Sequence, residues 1–498
     1  MKLRKSGILM HISSLPSEFG IGDLGRAAYS FADFLADSCQ TVWQVLPFNP
    51  SSPNCGNSPY FGVSAFAGNP LLISPDQLVE QGFISCEDLG RGPQFDSTRV
   101  DYPKVTEFKK RVIEIAYERF KERPDKGMYE RFVKSNAHWL DDYTLFVSLK
   151  DCFSGAPWNQ WPAEIRDRTQ PALDDWTEKL ADGIAREKFS QFLFFSQWTA
   201  LKRYCNGKQI QILGDMPIYV SYDSSDVWTN PQYFKIGEDK KPAWVAGVPP
   251  DYFSESGQLW GNPVYSWKDF KETSYAWWVS RAKQNMKYFD MVRLDHFRGF
   301  IAYWEVAATE KTAMNGKWVE APAGDFFHVL LRRLPSLSII AEDLGTITPE
   351  VREIMNLYDF PGMKVLLFAF GDNLSTNPYL PHNHTENYVV YTGTHDNNTV
   401  KGWFQHDATE REKENLFAYF GREFDENTVV EQMVRTALMS VASTGIIPMQ
   451  DFLELGAEAR MNIPSLKDGN WEWRVSSEQL TADLSRKIAN LTRVYGRI

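Results

Sequence analysis

The chain has 498 residues, of which 43% are hydrophobic and 23% are charged, and its formal net charge at pH 7 is −11. This composition is ordinary for a globular protein and excludes a fibrous, wholly disordered or disulfide-stapled chain. Because no long cluster of Lys and Arg offsets the acidic balance, the sequence also argues against nucleic acid or an anionic membrane as a partner.

The cysteines and the apolar runs indicate the cellular compartment of the protein. The five cysteines are scattered and form no CxxC pair, which is typical of free thiols in a reducing compartment. The charged amino terminus is followed by an apolar stretch of only residues 8–12, too short for the core of a signal peptide. The longest apolar run, residues 365–370, is far below the roughly 20 residues that span a bilayer. We therefore expect a cytoplasmic protein.

Eight short apolar runs, rich in Val, Ile and Leu, predict buried parallel strands. A helix is expected where apolar residues recur at spacings of three and four from Val105 to Phe120, and a second one over about 188–206 with Gly207 as its C-terminal cap. The alternation of strands and helices predicts an α/β chain that folds as one (β/α)₈ TIM barrel over residues 1–498. In chain order, the runs cover residues 7–13, 41–47, 209–215, 288–295, 337–342, 363–370, 388–394 and 445–452.

Two long segments interrupt this alternation and are expected to form large inserted subdomains. Residues 48–208 lie between the second and third predicted strands and contain loops rich in Pro, Gly and Asn, followed by helices. Residues 216–285 follow the third strand and are rich in Trp and Tyr. Segments of this length are usually functional rather than plain connections.

Four acidic residues stand at or just beyond the carboxyl ends of predicted strands: Asp215, Asp295, Glu342 and Asp396. Parallel barrel strands all end at one face, where barrel enzymes build their active sites, so we expect the four acids to meet there. The pattern alone leaves three interpretations open. The carboxylates cleave a glycosidic bond, they hold polar loops, or they belong to a metal site. The metal site would be drawn from Asp295, His296, Glu342, Asp343, His395 and Asp396.

The segments around these acids resemble the motifs of the 4-α-glucanotransferases, the amylomaltase or disproportionating-enzyme family of glycoside hydrolase family 77, which is related to the α-amylases. The segments that carry the acids are VRLDHFRG at 292–299, IAEDLG at 340–345 and GTHDNNT at 393–399. The resemblance runs in consistent order from residue 7 to about 474. Its further matches are GILMHISSLP at 7–16, QVLP at 44–47, SPY at 58–60, GDMPIYV at 214–220, GVPPD at 247–251 and GQLWGNP at 257–263.

The resemblance implies a 4-α-glucanotransferase, a hexosyltransferase that works on maltodextrin or starch-type glucans and glucose without a cofactor or a metal. It would move a segment of an α-1,4-glucan to the 4-hydroxyl of an acceptor by retaining double displacement. By position, Asp295 matches the nucleophile, Glu342 the general acid/base and Asp396 the transition-state stabiliser. Arg293 matches the arginine that orients the nucleophile, and Asp215 a residue that supports this arginine.

The resemblance also implies a set of substrate-binding residues. His395 matches the histidine that contacts the donor sugar, and Tyr60 and Trp260 match aromatic groups of the substrate groove. His296 is expected either to contact sugar or to support a residue that does. Other tryptophans could stack on glucose rings or simply fill the core. These are Trp158, Trp161, Trp228 and Trp244.

Two departures from related sequences sharpen the expectation. Classical α-amylases are expected to carry an Asn-His pair after the acid that matches Asp215, whereas residues 216–219 here read MPIY. This favours transfer over hydrolysis and puts an amylase-type calcium site in doubt. Residues 462–466 read NIPSL where the family is expected to show Pro-Gly-Thr. This difference puts one loop on the acceptor side in doubt, but not the catalytic acids.

The chemistry of a retaining enzyme sets a distance for the structure to meet. The carboxyl groups of Asp295 and Glu342 should lie about 5–5.5 Å apart. Three rival functions stay open at this point: a starch hydrolase that uses the same acids, a non-catalytic scaffold that binds glucan, and a metal-dependent barrel hydrolase.

Overall fold

The structure is a computed structural model that describes residues 4–90, 92–250, 254–464 and 466–498. Its strands are β1 (Lys5–Leu9), β2 (Val42–Gln44), β3 (Gln211–Met216), β4 (Trp244–Val248), β5 (Gln258–Pro263), β6 (Met291–Leu294), β7 (Ala302–Ala307), β8 (Gly316–Glu320), β9 (Ile339–Ala341), β10 (Gly362–Val365), β11 (Tyr388–Tyr391) and β12 (Thr444–Pro448).

The helices lie between these strands and after the last one. They are α1 (Arg26–Asp37), α2 (Pro75–Glu80), α3 (Cys86–Leu89), α4 (Tyr102–Lys121), α5 (Gly127–Cys152), α6 (Ala163–Arg166), α7 (Gln170–Lys179), α8 (Ala181–Gly207), α9 (Ser225–Thr229), α10 (Trp267–Glu272), α11 (Ala276–Tyr288), α12 (Ala323–Arg333), α13 (Pro349–Leu357), α14 (Val400–Gly402), α15 (Glu410–Phe420), α16 (Thr428–Met439), α17 (Met449–Phe452) and α18 (Ala482–Val494).

Eight parallel strands follow one another around a barrel in the order β1, β2, β3, β6, β9, β10, β11 and β12. Strand β12 pairs with β1, where Ile8 stands opposite Ile447. Between β9 and β10, the Ala341 N–H donates to the Pro361 carbonyl oxygen at 2.8 Å, which brings the two ends of the sheet together. The predicted TIM barrel is confirmed, and each of the eight apolar runs overlaps one barrel strand.

The barrel strands are shorter than the apolar runs that predicted them. The run at 363–370 leaves the sheet after Val365 and continues as a 3₁₀ turn, and the run at 445–452 continues as α17. These residues are apolar because they are buried above the barrel, although they do not pair with a neighbouring strand. The prediction for Gly207 was wrong: α8 includes this glycine, and the left-handed residue beyond the helix is Gln209, with φ 63°.

The two long segments build different kinds of structure. Residues between β2 and β3 form helices α2 to α8, of which α5 and α8 pack against each other. Residues between β3 and β6 contribute β4 and β5, which join β7 and β8 in an antiparallel sheet of order β5-β4-β7-β8. This second sheet was not predicted from the sequence, because its strands come from two loops that β6 separates in the chain.

Of the four tryptophans left open between glucose stacking and the core, three belong to the core. Trp158 and Trp228 are 1% exposed and Trp161 is 3% exposed, and the rings of Trp161 and Trp228 meet edge to face. Core burial therefore accounts for these three, while Trp244 is half-buried with Lys317 over its ring. Among the described residues, no helix has both the length and the apolar character that crossing a bilayer requires.

Candidate active site

The structure places the four acids at the carboxyl ends of four barrel strands. Asp215 lies in β3, Asp295 follows β6, Glu342 follows β9, and Asp396 lies five residues beyond β11. Since the strands are parallel, the four acids stand at one face of the barrel, as the sequence predicts. In the pairing of β3 with β6, Asp215 stands opposite Arg293, which brings the two side chains level with each other.

Arg293 connects a buried acid to an accessible one. Its Nη1 atom lies 2.9 and 2.7 Å from the two carboxylate oxygens of Asp215 and 2.8 Å from Oδ1 of Asp295. The side chains of Arg293 and Asp215 are 4% and 0% exposed, whereas that of Asp295 is 28% exposed. Burial lowers the pKa of Arg293, but the charges of Asp215 and Asp295 outweigh it and hold this pKa well above its usual value. A permanent cation therefore fixes the Asp295 carboxylate.

Tyr60 reaches this cluster from the first inserted segment. Its hydroxyl donates to Oδ2 of Asp215 at 2.8 Å, and its ring stacks on His395 with centroids 5.1 Å apart. Trp471 adds a third ring, 5.8 Å from Tyr60 and 6.0 Å from His395. Trp471 was not singled out from the sequence, although it lies inside the matched range. The three rings form an aromatic wall beside the acids.

Glu342 is held by two backbone donors. The His296 N–H donates to Oε2 and the Leu344 N–H to Oε1, both at 2.8 Å. The left-handed backbone of His296, with φ 51°, turns the chain directly after Asp295 and aims this N–H at the carboxylate. Burial raises the pKa of Glu342 to about 7, against the charge of Arg293 and the two N–H donors and with the help of the Asp295 charge. This side chain therefore exchanges a proton near neutral pH.

Asp396 stands on the loop after β11, with its side chain 42% exposed. His395 Nε2 lies 3.3 Å from its Oδ2, and Asn462 Nδ2 donates to its Oδ1 at 2.6 Å. Partial loss of hydration in the cleft would raise the pKa of Asp396. The His395 charge and these hydrogen bonds outweigh this effect and hold the pKa well below its usual range. Correspondingly, burial would lower the pKa of His395, and the charge of Asp396 raises it above its usual value instead. The charged form of each group therefore stabilises the charged form of the other.

The loop that departs from the family pattern contacts Asp396 directly. Asn462 begins that loop, and the neighbouring Arg460 donates from Nη2 to the backbone oxygen of Asp396 at 3.0 Å. The sequence placed this loop on the acceptor side, and neither contact was predicted from it. The departure at 462–466 was the one signal that pointed here, and Ser465 lies outside the described residues.

Trp260 and His296 meet at the other side of the cleft. Trp260 lies in β5, and its ring stands edge to face with His296, with centroids 4.8 Å apart. Burial lowers the pKa of His296 to about 4, against the Asp295 charge, so the ring is neutral at pH 7. Its buried Nε2 has no hydrogen-bond partner among the described residues. Contact with Trp260 fits the expectation that His296 supports a groove residue.

The cleft does not gather its acids in the way a metal centre does. Within the described ranges, no group of three or more His, Cys, Asp or Glu side chains is arranged to hold a metal ion. Asp343, one of the candidate ligands, turns away and accepts the Met363 N–H at 2.6 Å. Asp251, the last residue of the GVPPD match, lies outside the described residues.

Comparisons with known proteins point to one family over nearly the whole chain. Residues 10–481 match the glycoside hydrolase family 77 profile, described as 4-alpha-glucanotransferase. The 4-alpha-glucanotransferase of Synechocystis sp. is 47% identical over 99% of this chain and 98% of its own length. That of Aquifex aeolicus is 46% identical over 99% and 100%. The solved amylomaltase from Streptococcus agalactiae in complex with acarbose is 41% identical, has a TM-score of 0.95 and matches over 99% of both chains.

Proposed function

The chain belongs to the 4-alpha-glucanotransferase family, and on that premise we propose how its side chains move a glucan segment. It is a transferase that acts on glucans. The proposed reaction breaks an α-1,4 bond of a maltodextrin or starch-type donor. The donor segment that stays bound to the enzyme is then joined to the 4-hydroxyl of an acceptor glucan or of glucose, with retention at the anomeric carbon.

The first half-reaction uses Asp295 and Glu342 together. The Asp295 carboxylate attacks the anomeric carbon while protonated Glu342 donates its proton to the glycosidic oxygen, which leaves as the 4-hydroxyl of the released glucan. Two features support these roles. Asp295 is accessible yet held at 2.8 Å by Arg293, and the Glu342 pKa of about 7 keeps a protonated fraction at neutral pH.

The second half-reaction reverses these roles. The acceptor 4-hydroxyl attacks the anomeric carbon, Glu342 takes the hydroxyl proton, and the ester bond to Asp295 breaks. Once Asp295 is esterified, its charge no longer raises the pKa of Glu342, so this pKa falls and Glu342 becomes a base. Two inversions restore the α configuration. The mechanism requires the carboxyl groups of Asp295 and Glu342 about 5–5.5 Å apart, which stays a prediction.

Asp396 and the groove residues are proposed to hold the donor sugar. Because its pKa is held low, Asp396 is ionised throughout the reaction and accepts hydrogen bonds from sugar hydroxyls, which strengthen as the ring approaches the oxocarbenium geometry. His395 is proposed to donate to the same sugar. Tyr60 and Trp260 present aromatic faces to the glucan, with His296 behind Trp260.

One observation carries the assignment: a single buried guanidinium nitrogen holds both Asp215 and the accessible Asp295. The test is to incubate the protein with maltotriose and to size the products over time. We expect a ladder of longer maltodextrins together with glucose or maltose, with little net gain of reducing ends, and a newly formed bond in the α configuration. Steady release of reducing ends would make the protein a hydrolase. A β-configured product would reject double displacement.

We further propose that residues 1–498 work as one catalytic unit, because the inserted segments 48–208 and 216–285 supply Tyr60 and Trp260 to the cleft. The reaction is proposed to need no cofactor or metal, since every acid in it is served by arginine, histidine, asparagine or backbone N–H groups. Activity should therefore survive dialysis against a chelator. Because its net charge is −11, the protein is proposed to bind neither nucleic acid nor an anionic membrane. The scattered cysteines and short apolar runs support the proposal that it is cytoplasmic, which cell fractionation checks.

A further inference from the structure

Asp451 is a buried acid that takes no part in the proposed chemistry. It lies in α17, directly beyond β12, and is 2% exposed. In the part of the chain that the structure describes, no ion pair joins it to a cation. A carboxylate without a counter-ion is costly to bury unless its oxygens are well hydrogen-bonded. The partners of those oxygens therefore indicate what this residue does.

Both oxygens of Asp451 are used by one loop. The Thr392 hydroxyl donates to Oδ2 at 2.5 Å, and the Val400 N–H donates to Oδ1 at 2.8 Å. Thr392 directly follows β11, and Val400 is the first residue of α14. One carboxylate thus ties together the two ends of the segment 392–400, whose middle carries His395 and Asp396.

The segment is also braced from within. Asn397 Oδ1 accepts from the N–H and from the hydroxyl of Thr394, both at 2.9 Å, and the Thr394 hydroxyl accepts from the Asp396 N–H at 3.3 Å. At the far end, the Thr399 hydroxyl accepts the Gly402 N–H at 3.0 Å. These internal bonds shape the loop, and the Asp451 carboxylate joins both of its ends to α17.

The residue before Asp451 contacts the other side of the Asp396 environment. Gln450 Nε2 donates to the Ala459 carbonyl oxygen at 3.3 Å. The next residue, Arg460, donates to the backbone oxygen of Asp396 at 3.0 Å. Helix α17 therefore contacts the segment 392–400, which carries Asp396, and also the segment that begins at Ala459, which donates to Asp396.

We infer that Asp451 is a positioning residue for the transfer reaction: it closes the segment 392–400 so that His395 and Asp396 face the donor sugar. The inference rests on the proposed function. Asp451 itself touches no reacting atom. Its effect is expected in the transition state, where a displacement of Asp396 by a fraction of an ångström weakens the hydrogen bonds to the sugar ring.

The test compares substitutions that keep the closure with others that break it. Asp451→Asn keeps it, since the amide oxygen accepts from Val400 and the amide nitrogen donates to the Thr392 oxygen, and Thr392→Ser keeps the hydroxyl. Both should retain kcat on maltotriose within about threefold. Asp451→Ala and Thr392→Val break the closure and should lower kcat by about tenfold or more, with KM changed by less than about threefold.

Thr492→Val is the matched control. Thr492 is as fully buried as Thr392, and its hydroxyl accepts from Gln40 Nε2 at 2.8 Å. Gln40 precedes β2, so this contact lies at the amino end of the barrel, away from the cleft. Thr492→Val should lower the melting temperature about as much as Thr392→Val does while leaving kcat unchanged, which separates positioning from stability.

Two results would overturn the inference. One is a Thr392→Val protein whose kcat stays within twofold of the Thr492→Val protein. The other is an Asp451→Asn protein as impaired as Asp451→Ala, which would assign the effect to charge rather than to the hydrogen-bonded closure. If Asp451→Ala does not fold, the two Thr392 variants decide. A wild-type protein that makes no longer maltodextrins would instead reject the proposed function, and the inference with it.

Discussion

Arg293 Nη1 lies 2.7 Å from Oδ2 of Asp215 and 2.8 Å from Oδ1 of Asp295, so one nitrogen joins a fully buried carboxylate to an accessible one. Asp215 is bonded in turn by the Tyr60 hydroxyl at 2.8 Å. Burying Arg293 and Asp215 costs stability, and their opposite charges compensate each other. These contacts fix the orientation of the Arg293 side chain and direct the Asp295 carboxylate into the cleft.

Arg293→Lys should abolish most of the activity. A lysine ammonium is a compact charge on a flexible stem and does not reproduce the planar contacts of the guanidinium. We expect kcat on maltotriose to fall by about 100-fold or more, with circular dichroism and the elution volume close to those of the wild type. Arg332→Lys, on the last turn of α12, is the control and should keep full activity. A retained kcat in Arg293→Lys would remove the arginine from the proposed mechanism.

The pH profile should report Glu342. The first half-reaction needs its protonated form, and burial places the pKa at about 7. As the pH rises through that value the protonated fraction falls about tenfold per pH unit, so kcat/KM should decline on the alkaline side with an apparent pKa near 7.

A donor that needs no acid checks the origin of this decline. With a maltosyl fluoride donor the leaving group departs unprotonated, and the alkaline decline of the first step should disappear. Glu342→Gln should lose activity on maltotriose by about 1,000-fold and keep much more of it in glycosyl-enzyme formation from the fluoride. An alkaline decline that appears only above pH 9 with maltotriose would contradict the assignment of the proton donor.

Asn462→Ala removes the 2.6 Å hydrogen bond to Asp396 Oδ1. A hydrogen bond to a charged group contributes about 1.5–3 kcal/mol. We expect kcat to fall by about tenfold, measured on maltotriose at saturating concentration, because Asp396 loses its orientation. The pKa of Asp396 should also rise toward its usual value, because the Asn462 amide stabilises the ionised form.

Asn383→Ala serves as the control for that substitution. Asn383 lies on the surface, and its side chain also donates to backbone oxygens, including that of Asn377 at 2.9 Å. It should leave both kcat and the pH profile unchanged. A kcat in Asn462→Ala equal to that of the wild type would show that this amide does not orient Asp396.

Trp260→Ala should weaken glucan binding more than turnover. The ring lies in β5 against His296 and is proposed to stack on a glucose ring. An aromatic contact contributes about 0.5–1.5 kcal/mol beyond area burial, so KM for maltotriose should rise by about tenfold, and Trp260→Phe should restore most of the affinity. Trp176→Ala, on α7, removes a ring of equal size as a control. A similar rise of KM in both alanine variants would count against stacking.

The second sheet shows where local pattern stops being informative. Strands β4 and β5 come before β6 in the chain, and β7 and β8 come after it. Their pairing, such as Gly247 opposite Trp304, depends on two loops meeting above the barrel. Apolar runs identified the barrel strands because those strands are buried on both faces. Strands β5 and β8 of the small sheet are more exposed and carry no such run.

The sequence alone determined the barrel and the position of the four acids at the ends of its strands. Both follow from local sequence, because a short run of apolar residues marks a buried strand and the polar residue after it marks where the strand ends. Only the tertiary structure decided what surrounds each acid. Tyr60 meets Asp215 across 155 positions of the chain, and Asn462 meets Asp396 across 66. Such contacts depend on how loops pack against one another, and the hydrogen bonds and charges that result set the pKa of Glu342 and the ionisation of Asp396.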